Sequence, residues 1–274
     1  IRELGYEQRD DVYIHPAGRR LISVGDIMSR GPKSIETMQF WLKQIEAGLS
    51  YMTDSNHGWK IARWLGGKDV SLNHGDELVE QEFTAYAKVH GEADTNGLKE
   101  RFARMLLDAP SHYILTKQNI TKAVVTHAGI KDHYIGKQSK RISDFCRYGD
   151  ILQGDRTSKP VRGDWFTQHK TSELIIWGHD VNVQPFKANR TINIDQGAVF
   201  GGELTAFQYP EQTFTSVKAF ANYAGTEDNP ILEAKNKRFS PPNVTQFIDG
   251  FTVHTRNDEQ IIVPKENALA ALDT

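Results

Sequence analysis

The feature that most constrains the fold is a repeated unit, in which a short apolar run ends in a polar loop that contains glycine. Such runs occur at residues 20–24, 123–126, 174–177 and 191–194. Runs that are apolar throughout indicate strands buried on both faces, as in the parallel sheets of α/β proteins. Because these sheets collect their sites at the carboxyl ends of the strands, we expect the polar residues of the loops to meet at one site.

The segments between the apolar runs carry helical signals. Residues 34–45 repeat apolar side chains at helical spacing, and Gly48 marks the end of that helix. The predicted elements that follow are a strand at 49–52, a loop through Asn56-His57, a helix at 59–65 and a helical cap at 75–107. Alternation of strand, loop and helix predicts an α/β fold.

The chain of 274 residues is long enough for one large domain with an appendage. After Tyr209-Pro210 the composition shifts towards Asn, Pro, Lys and Glu, which favours an add-on segment. We therefore predict a main domain at 1–219 and a C-terminal extension at 220–274, in which 251–255 and 260–263 form a β-hairpin.

Charge and cysteine content narrow the setting of the protein. A formal net charge of −2 gives no global basic footprint, so capture of nucleic acid or of an anionic membrane by charge alone is not indicated. The single cysteine, Cys146, cannot form an internal disulfide, which favours a reducing, cytoplasmic setting. No apolar window approaches the length of a membrane span, so we expect no membrane partner. The oligomeric state stays open.

Six polar motifs follow the predicted strands, and each has an ordinary explanation when it is taken alone. An Asp or an Asn at a strand end is common turn chemistry, and a lone His near a strand is more often a core or surface residue. The motifs occur in this order: Asp26, Arg30, Asn56-His57, His127-Ala128-Gly129, Gly178-His179 and Asp195-Gln196-Gly197. Chance should rarely supply all six at strand ends, so the order favours a common site with imidazole and carboxylate metal ligands.

In this order the motifs resemble those of the bacterial calcineurin-like metallophosphoesterases, which read G-D-x-x-D-R-G-P, G-N-H-E/D, H-A-G, G-H and I-D-T-G-x-x-F-G-G-x-L-T-A. The resemblance covers residues 4–219 and is most telling at 194–206, which read I-D-Q-G-A-V-F-G-G-E-L-T-A. The segments 63–65, 74–75 and 161–165 look most like the phosphatase domain of polynucleotide kinase-phosphatase and its diadenosine tetraphosphatase relatives. The fold that this implies is a β-sandwich flanked by helices.

The resemblance also implies roles for the individual side chains. Asp26 would bridge two metal ions and Asp195 would support the centre. The second metal site would be completed by Asn56, His127 and His179. His57 would donate a proton to the leaving oxygen, while Arg30, with Arg162, would hold the phosphate. Mixed oxygen and imidazole ligands favour manganese, iron or zinc over calcium.

Several positions depart from the family motifs. The opening D-x-H-G motif, which supplies two ligands to the first metal, is absent from this sequence. Ser29 stands in place of the second Asp of G-D-x-x-D-R-G, and Ser55 and Gly58 replace the glycine and the acid of G-N-H-E. Two explanations stay open: the chain is a truncated form of a longer protein, or it is a degenerate member that binds a ligand without turnover. Substitutions inside retained motifs favour the second.

The leading functional hypothesis is metal-dependent hydrolysis of a phosphomonoester or of a nucleotide or polynucleotide phosphate end by activated water. A dinucleoside polyphosphate or a phosphoprotein is also open, because residues 75–111 carry no motif that selects among substrates. The alternative is a catalytically degenerate binding or structural module. A third possibility is that the chain is one part of a larger kinase-phosphatase polypeptide. No G-x-x-x-x-G-K-[ST] loop occurs in the sequence, so any kinase would have to lie outside it.

Overall fold

The computed structural model describes residues 1–118, 120–152, 161–225 and 229–231, together with the backbone of three strands between 244 and 264. Contacts divide the chain into two units, Ile1–Ile231 and Leu232–Thr274. The helices of the described residues are α1 (Ser34–Glu46), α2 (Asn56–Leu65), α3 (Asp76–His90), α4 (Glu92–Leu107) and α5 (Lys140–Tyr148). The strands are β1 (Glu7–Arg9), β2 (Val12–Ile14), β3 (Leu21–Ser23), β4 (Ser50–Met52), β5 (His112–Lys117), β6 (Ile120–Thr126), β7 (Asp150–Leu152), β8 (Val161–Gly163), β9 (Leu174–Trp177), β10 (Phe186–Ala188), β11 (Thr191–Asn193), β12 (Asp195–Gln196), β13 (Glu203–Gln208), β14 (Thr213–Lys218), β15 (Val244–Phe247), β16 (Gly250–His254) and β17 (Gln260–Pro264).

A five-stranded sheet in the order β10-β11-β9-β6-β5 forms the centre of the first unit. Its three middle strands are parallel, and the two outer pairs are antiparallel. Val124 pairs with Ile175, and both side chains are fully buried, as expected for a strand covered on both faces. The apolar runs predicted at 123–126, 174–177 and 191–194 are therefore the parallel centre of this sheet.

One face of the central sheet packs against a second β layer. Val125, Ile176 and Ile192 point to this face and contact Ile22 and Phe207 of the opposite layer. That layer consists of the parallel pair β3-β4 and the antiparallel sheet β12-β13-β14. Burial of each large aliphatic side chain contributes about 1.5–3 kcal/mol, so this shared core holds the two layers together. The predicted β-sandwich is confirmed.

The opposite face of the sheet is covered by α5 and by aromatic side chains. Val124, Ile175 and Trp177 pack there with Cys146 of α5 and with Trp165. Ser139 begins α5, because its hydroxyl accepts the N–H of Ile142. The thiol of Cys146 is fully buried in this layer, and burial raises its pKa to about 11. It is a core residue.

The other four helices form a separate core beside the sandwich. Met38 of α1, Ile61 of α2, and Phe83 and Phe102 of α3 and α4 all lie in it. The cap predicted at 75–107 is a pair of helices, α3 and α4, joined at Gly91, whose φ of 83° is accessible mainly to glycine. The predicted loop at Asn56-His57 is wrong: α2 already begins at Asn56, because Ser55 caps it through the N–H of Gly58.

The second unit contains a three-stranded antiparallel sheet. Gly250–His254 pairs with Gln260–Pro264 on one side and with Val244–Phe247 on the other. The turn of the predicted hairpin, residues 256–259, and the last residue of its first predicted strand, Thr255, lie outside the described residues. The division into a domain at 1–219 and an extension at 220–274 stays a prediction.

The fully buried ring of Phe102 gives a test of the helical core. Phe102→Ala is expected to lower the free energy of unfolding by about 3–5 kcal/mol, because it removes the ring and leaves a cavity among helices. Urea denaturation followed by circular dichroism measures this difference. Val89→Ala, at a position 77% exposed on α3, is the control and should change stability by about 0.5 kcal/mol or less. Equal losses in the two variants would contradict the packing described.

Candidate metal centre and active site

Four of the predicted ligands lie at the same end of the sandwich. Asp26 follows β3, His127 follows β6 and His179 follows β9, while Asn56 opens α2 shortly after β4. Asp26 and His179 have positive φ angles of 48° and 70°, which are uncommon for residues other than glycine. Such backbone strain persists only where the surrounding structure enforces it, and it clusters at functional sites.

Three of these side chains converge on the Nε2 atom of the fourth, His127. Asn56 Oδ1 lies 2.8 Å from this nitrogen, His179 Nδ1 lies 3.0 Å from it, and Asp26 Oδ2 lies 3.4 Å from it. The ligand atoms of the Asp and the two His all lie within 4.8 Å of one another. These are the distances expected of side chains that share one bound ion.

The chemistry of this donor set fits a divalent metal ion. His127 Nδ1 lies 2.6 Å from the carbonyl oxygen of Val24, so Nδ1 carries the proton and Nε2 presents a lone pair. The carboxylate of Asp26 and the amide oxygen of Asn56 are also acceptors. One shared proton can bridge a single pair of these atoms, whereas a cation can accept lone pairs from all four. Two imidazoles, a carboxylate and an amide oxygen suit a first-row divalent metal.

Gly25 and Ser55 shape the loop that carries Asp26. A Cβ atom at Gly25, whose φ is 95°, would lie 2.5 Å from Ser55 Cβ and 2.9 Å from His127 Nδ1, so only glycine fits there. The Ser55 hydroxyl accepts the N–H of Asp26 at 3.1 Å and the N–H of Gly58 at 3.1 Å. The same hydroxyl thus fixes the metal-ligating loop and the start of α2.

His57 is held from the side by a buried carboxylate that the sequence analysis did not identify. His57 Nδ1 lies 2.6 Å from Asp76 Oδ1, and the Asp76 side chain has no exposed area. Ser29 Oγ donates to the same oxygen at 2.6 Å, and Lys60 Nζ donates to Oδ2 at 2.6 Å. This network holds Nδ1 of His57, so Nε2 is the ring nitrogen that lies outside it.

The surroundings set the charges that the site requires. Burial raises the pKa of Asp26, but the neighbouring imidazoles of His127, His57 and His179 favour the ionised carboxylate and lower its pKa to about 2. Burial, together with the neighbouring imidazole of His127 and the guanidinium of Arg162, holds the pKa of His179 well below its ordinary value. An ionised carboxylate and a neutral imidazole are the forms that bind metal.

The pKa of His57 is shifted in the opposite direction to that of His179. Burial lowers its pKa, but the negative charges of Asp26 and Asp76 raise it more, so that its pKa lies above the ordinary value. A histidine that retains its proton near neutral pH can act as a general acid.

The cavity that contains the ligands has a volume of about 1200 Å³ and also includes both predicted phosphate-binding arginines. The Arg30 guanidinium lies over the Phe200 ring, with 5.3 Å between its Cζ and the ring centroid. Arg162 is exposed and lines the same cavity as His179.

Asp195 lies in the same cavity but is not part of the group of ligand atoms found among the described residues. Its Oδ1 accepts the N–H of Gly197 at 3.0 Å, and its own N–H donates to Asn193 Oδ1 at 2.7 Å. Burial raises its pKa. The carboxylate shapes the loop after β11, and its predicted support of the metal centre stays a prediction.

Asp76 and Lys60 are the residues that sequence reasoning missed. Asp76 belongs to a helix rather than to a strand-end motif, and it is separated from His57 by 19 positions. Ser29 is the position that could have indicated it. The family motif has a carboxylate there, and because serine has none, a carboxylate partner for His57 has to come from another segment.

No helix of the described residues combines the length and apolar character needed to span a membrane.

Comparisons with known proteins agree on the kind of protein that the chain resembles. No family model matches it. It is 35% identical over 232 residues to bis(5′-nucleosyl)-tetraphosphatase PrpE (asymmetrical) of Bacillus cereus strain Q1, covering 84% of this chain and 92% of the relative. The proteins of the same name from Oceanobacillus iheyensis and Bacillus velezensis are 36% and 38% identical, over 78% and 81% of this chain and over 84% and 87% of their own lengths.

The fold has a counterpart among solved structures. A crystal structure of a candidate diadenosine tetraphosphatase superposes with a TM-score of 0.50 at 20% identity, covering 73% of this chain and 81% of that chain. This likeness supports the fold.

The convergence on His127 predicts a loss of metal affinity when this ligand is removed. His127→Ala is expected to weaken binding of Mn²⁺ by about 100-fold or more, because loss of an outer-shell partner alone costs about 10–100-fold. Isothermal titration calorimetry on the purified chain measures the affinity. His133→Ala, at an exposed position, is the matched control and should bind Mn²⁺ like the unaltered protein. Equal affinity in both variants would contradict the assignment.

Proposed function

The chain belongs to the bis(5′-nucleosyl)-tetraphosphatase PrpE family of calcineurin-like phosphoesterases, and we propose that it hydrolyses a dinucleoside tetraphosphate with Mn²⁺ as its metal. The observation that carries the proposal is the set of four acceptors formed by His127 Nε2 and the three atoms around it, which lies in one cavity with His57 and two arginines. Manganese is preferred because oxygen and imidazole ligands are mixed in this set, and iron or zinc would also suit it.

The arginines give the cavity its preference for phosphate. Arg30 and Arg162 approach the ligand group from separate segments, so a polyphosphate could contact both guanidinium groups while one of its phosphates faces His57. Guanidinium groups bind phosphate oxygens through paired hydrogen bonds and keep their charge at all accessible pH values.

The proposed reaction is a direct displacement. Water attacks one phosphorus atom and releases a proton to solvent, the bond from that phosphorus to the bridging oxygen breaks, and His57 Nε2 delivers a proton to the departing oxygen and is later reprotonated from solvent. When bound, a divalent cation acidifies the attacking water and neutralises charge on the phosphoryl oxygens. Asp26, Asn56, His127 and His179 would hold that cation. The name of the relatives specifies asymmetrical cleavage, which for this chain would give a nucleoside triphosphate and a nucleoside monophosphate.

A second candidate is ligand binding without turnover. One observation favours it: the described residues supply one group of metal ligands, and the D-x-H-G motif of the first metal is absent from the sequence. A nucleic-acid phosphate end, which the sequence also predicted as a substrate, has no support from the named relatives and stays a prediction.

Turnover and metal content separate these candidates. The chain is incubated with Mn²⁺, freed of unbound metal and analysed by elemental analysis, and then mixed with diadenosine tetraphosphate. Ion-exchange chromatography should reveal ATP and AMP in equal amounts. Binding of the nucleotide without products would support the second candidate instead. Faster release of phosphate from an oligonucleotide end would overturn the proposed substrate.

Arg30→Ala gives a separate test of phosphate recognition. We expect KM for diadenosine tetraphosphate to rise by about 10-fold or more, since a hydrogen bond to a charged group contributes about 1.5–3 kcal/mol. Affinity for Mn²⁺ should not change, because the arginine is not a ligand. Arg141→Ala, at an exposed position on α5, is the control. An unchanged KM would remove Arg30 from the phosphate site.

A further inference from the structure

The buried carboxylate of Asp76 contacts the predicted proton donor, His57, from a different segment of the chain. Both carboxylate oxygens are satisfied: Oδ1 by His57 and Ser29, and Oδ2 by Lys60. A carboxylate with no exposed area is costly to bury unless it is fully hydrogen-bonded, so this arrangement reflects a built network.

A role in stabilising α3 does not account for this geometry. An acidic residue in the first turn of a helix interacts favourably with the helix dipole, and Glu77 beside it is exposed and could supply that charge. The partners given above for the Asp76 carboxylate all lie outside α3, on the loop after β3 and on α2. The side chain therefore connects α3 to the active-site histidine.

The start of α3 is packed tightly enough to bring Asp76 to this place. Gly75 has a φ of 93°, and a Cβ atom there would lie 2.4 Å from Arg30 Cγ and 3.0 Å from Arg30 Cα. Only glycine allows the helix to approach the loop of Ser29 and Arg30 this closely. The approach places Asp76 Oδ1 within 2.6 Å of the Ser29 hydroxyl.

Ser29 occupies the position at which the family motif G-D-x-x-D-R-G has its second Asp. Its hydroxyl lies 3.1 Å from His57 Nδ1 and donates to Asp76. A hydroxyl has no charge with which to hold a protonated imidazole, whereas the carboxylate next to it does. The hydroxyl and the carboxylate together fill the place beside Nδ1.

We propose that Asp76 is the positioning residue for His57, and that with Ser29 it replaces from α3 the carboxylate that the family motif places at position 29. The Asp76 carboxylate accepts a hydrogen bond from His57 Nδ1–H, and this bond fixes the ring so that Nε2 faces the cavity. The role deepens the proposed hydrolysis, because Nε2 is the atom that would deliver a proton to the leaving oxygen.

The first test is Asp76→Asn, which retains shape and removes charge. Lys60 has only donors, so the amide oxygen should turn to Lys60 and the NH₂ group to His57. Nδ1 then becomes an acceptor and gives up its proton, so that only Nε2 carries one. Long-range ¹H–¹⁵N NMR of the ring reports directly which nitrogens are protonated and does not require turnover. A His57 ring whose Nδ1 carries a proton in both proteins would overturn the proposal.

The kinetic test compares two leaving groups. For phenyl phosphate, whose basic leaving group needs a proton, Asp76→Asn should lower kcat by about 100-fold or more, within the range ascribed to general acid catalysis. For 4-nitrophenyl phosphate, whose leaving group needs little protonation, the loss should be clearly smaller. KM and affinity for Mn²⁺ should be unchanged. Equal losses on both substrates would indicate a structural role and overturn the proposal.

A double variant and a single control variant test the position of the carboxylate. In the double variant Ser29→Asp with Asp76→Asn, a carboxylate returns beside Nδ1 from the other segment, and kcat should recover by about 10-fold or more. Glu77→Gln removes the same charge from the same helical turn and should leave kcat unaltered. If the unaltered chain shows no turnover, the proposed function fails while the NMR comparison still decides the role of Asp76.

Discussion

Four lone pairs directed at one point are the constraint on which the site depends. A carboxylate, an amide oxygen and two imidazole nitrogens can lie this close together only if a positive charge offsets their mutual repulsion. The protein holds them there with backbone conformations that are otherwise unfavourable. Asp26 and His179 are in left-handed conformations, and Gly25 leaves no room for a side chain. The core of the sandwich, formed where Val125 and Ile176 meet Ile22, stabilises this arrangement.

The sandwich and the helical core contribute different parts of the chemistry. The loops after β3, β6 and β9 carry three of the predicted metal ligands, and their strand ends are fixed by parallel pairing. His57, the proposed general acid, and Asp76 belong to α2 and α3, which pack in the helical core. The relative placement of the predicted ligands and His57 therefore depends on the junction of the two cores. Asn56 and His57 are adjacent on α2 and link the two.

Ser29, Ser55 and Gly58 illustrate how substitutions in a motif can be absorbed by their surroundings. Ser55 caps α2 and binds the N–H of Asp26, which fixes the metal loop. A Cβ at Gly58 would lie 2.9 Å from the Ser55 hydroxyl, so the small residue at 58 accommodates the larger one at 55. Ser29 leaves room for the carboxylate of Asp76. These three positions suggested degeneracy in the sequence, yet each belongs to an ordered hydrogen-bond network in the folded protein.

The sequence by itself determined the three parallel strands of the central sheet and four side chains that meet at the proposed metal site. It could do so because a buried parallel strand needs a continuous apolar run, and because such strands deliver their loops to one edge. Only the tertiary structure decided that α2 begins at Asn56 and that Asp76 supports His57. The start of α2 at Asn56 depends on the hydrogen bond by which the Ser55 side chain caps the helix. The contact of Asp76 depends on how closely α3 packs against the loop of Ser29, which is a distance between segments that periodicity and motif spacing do not encode.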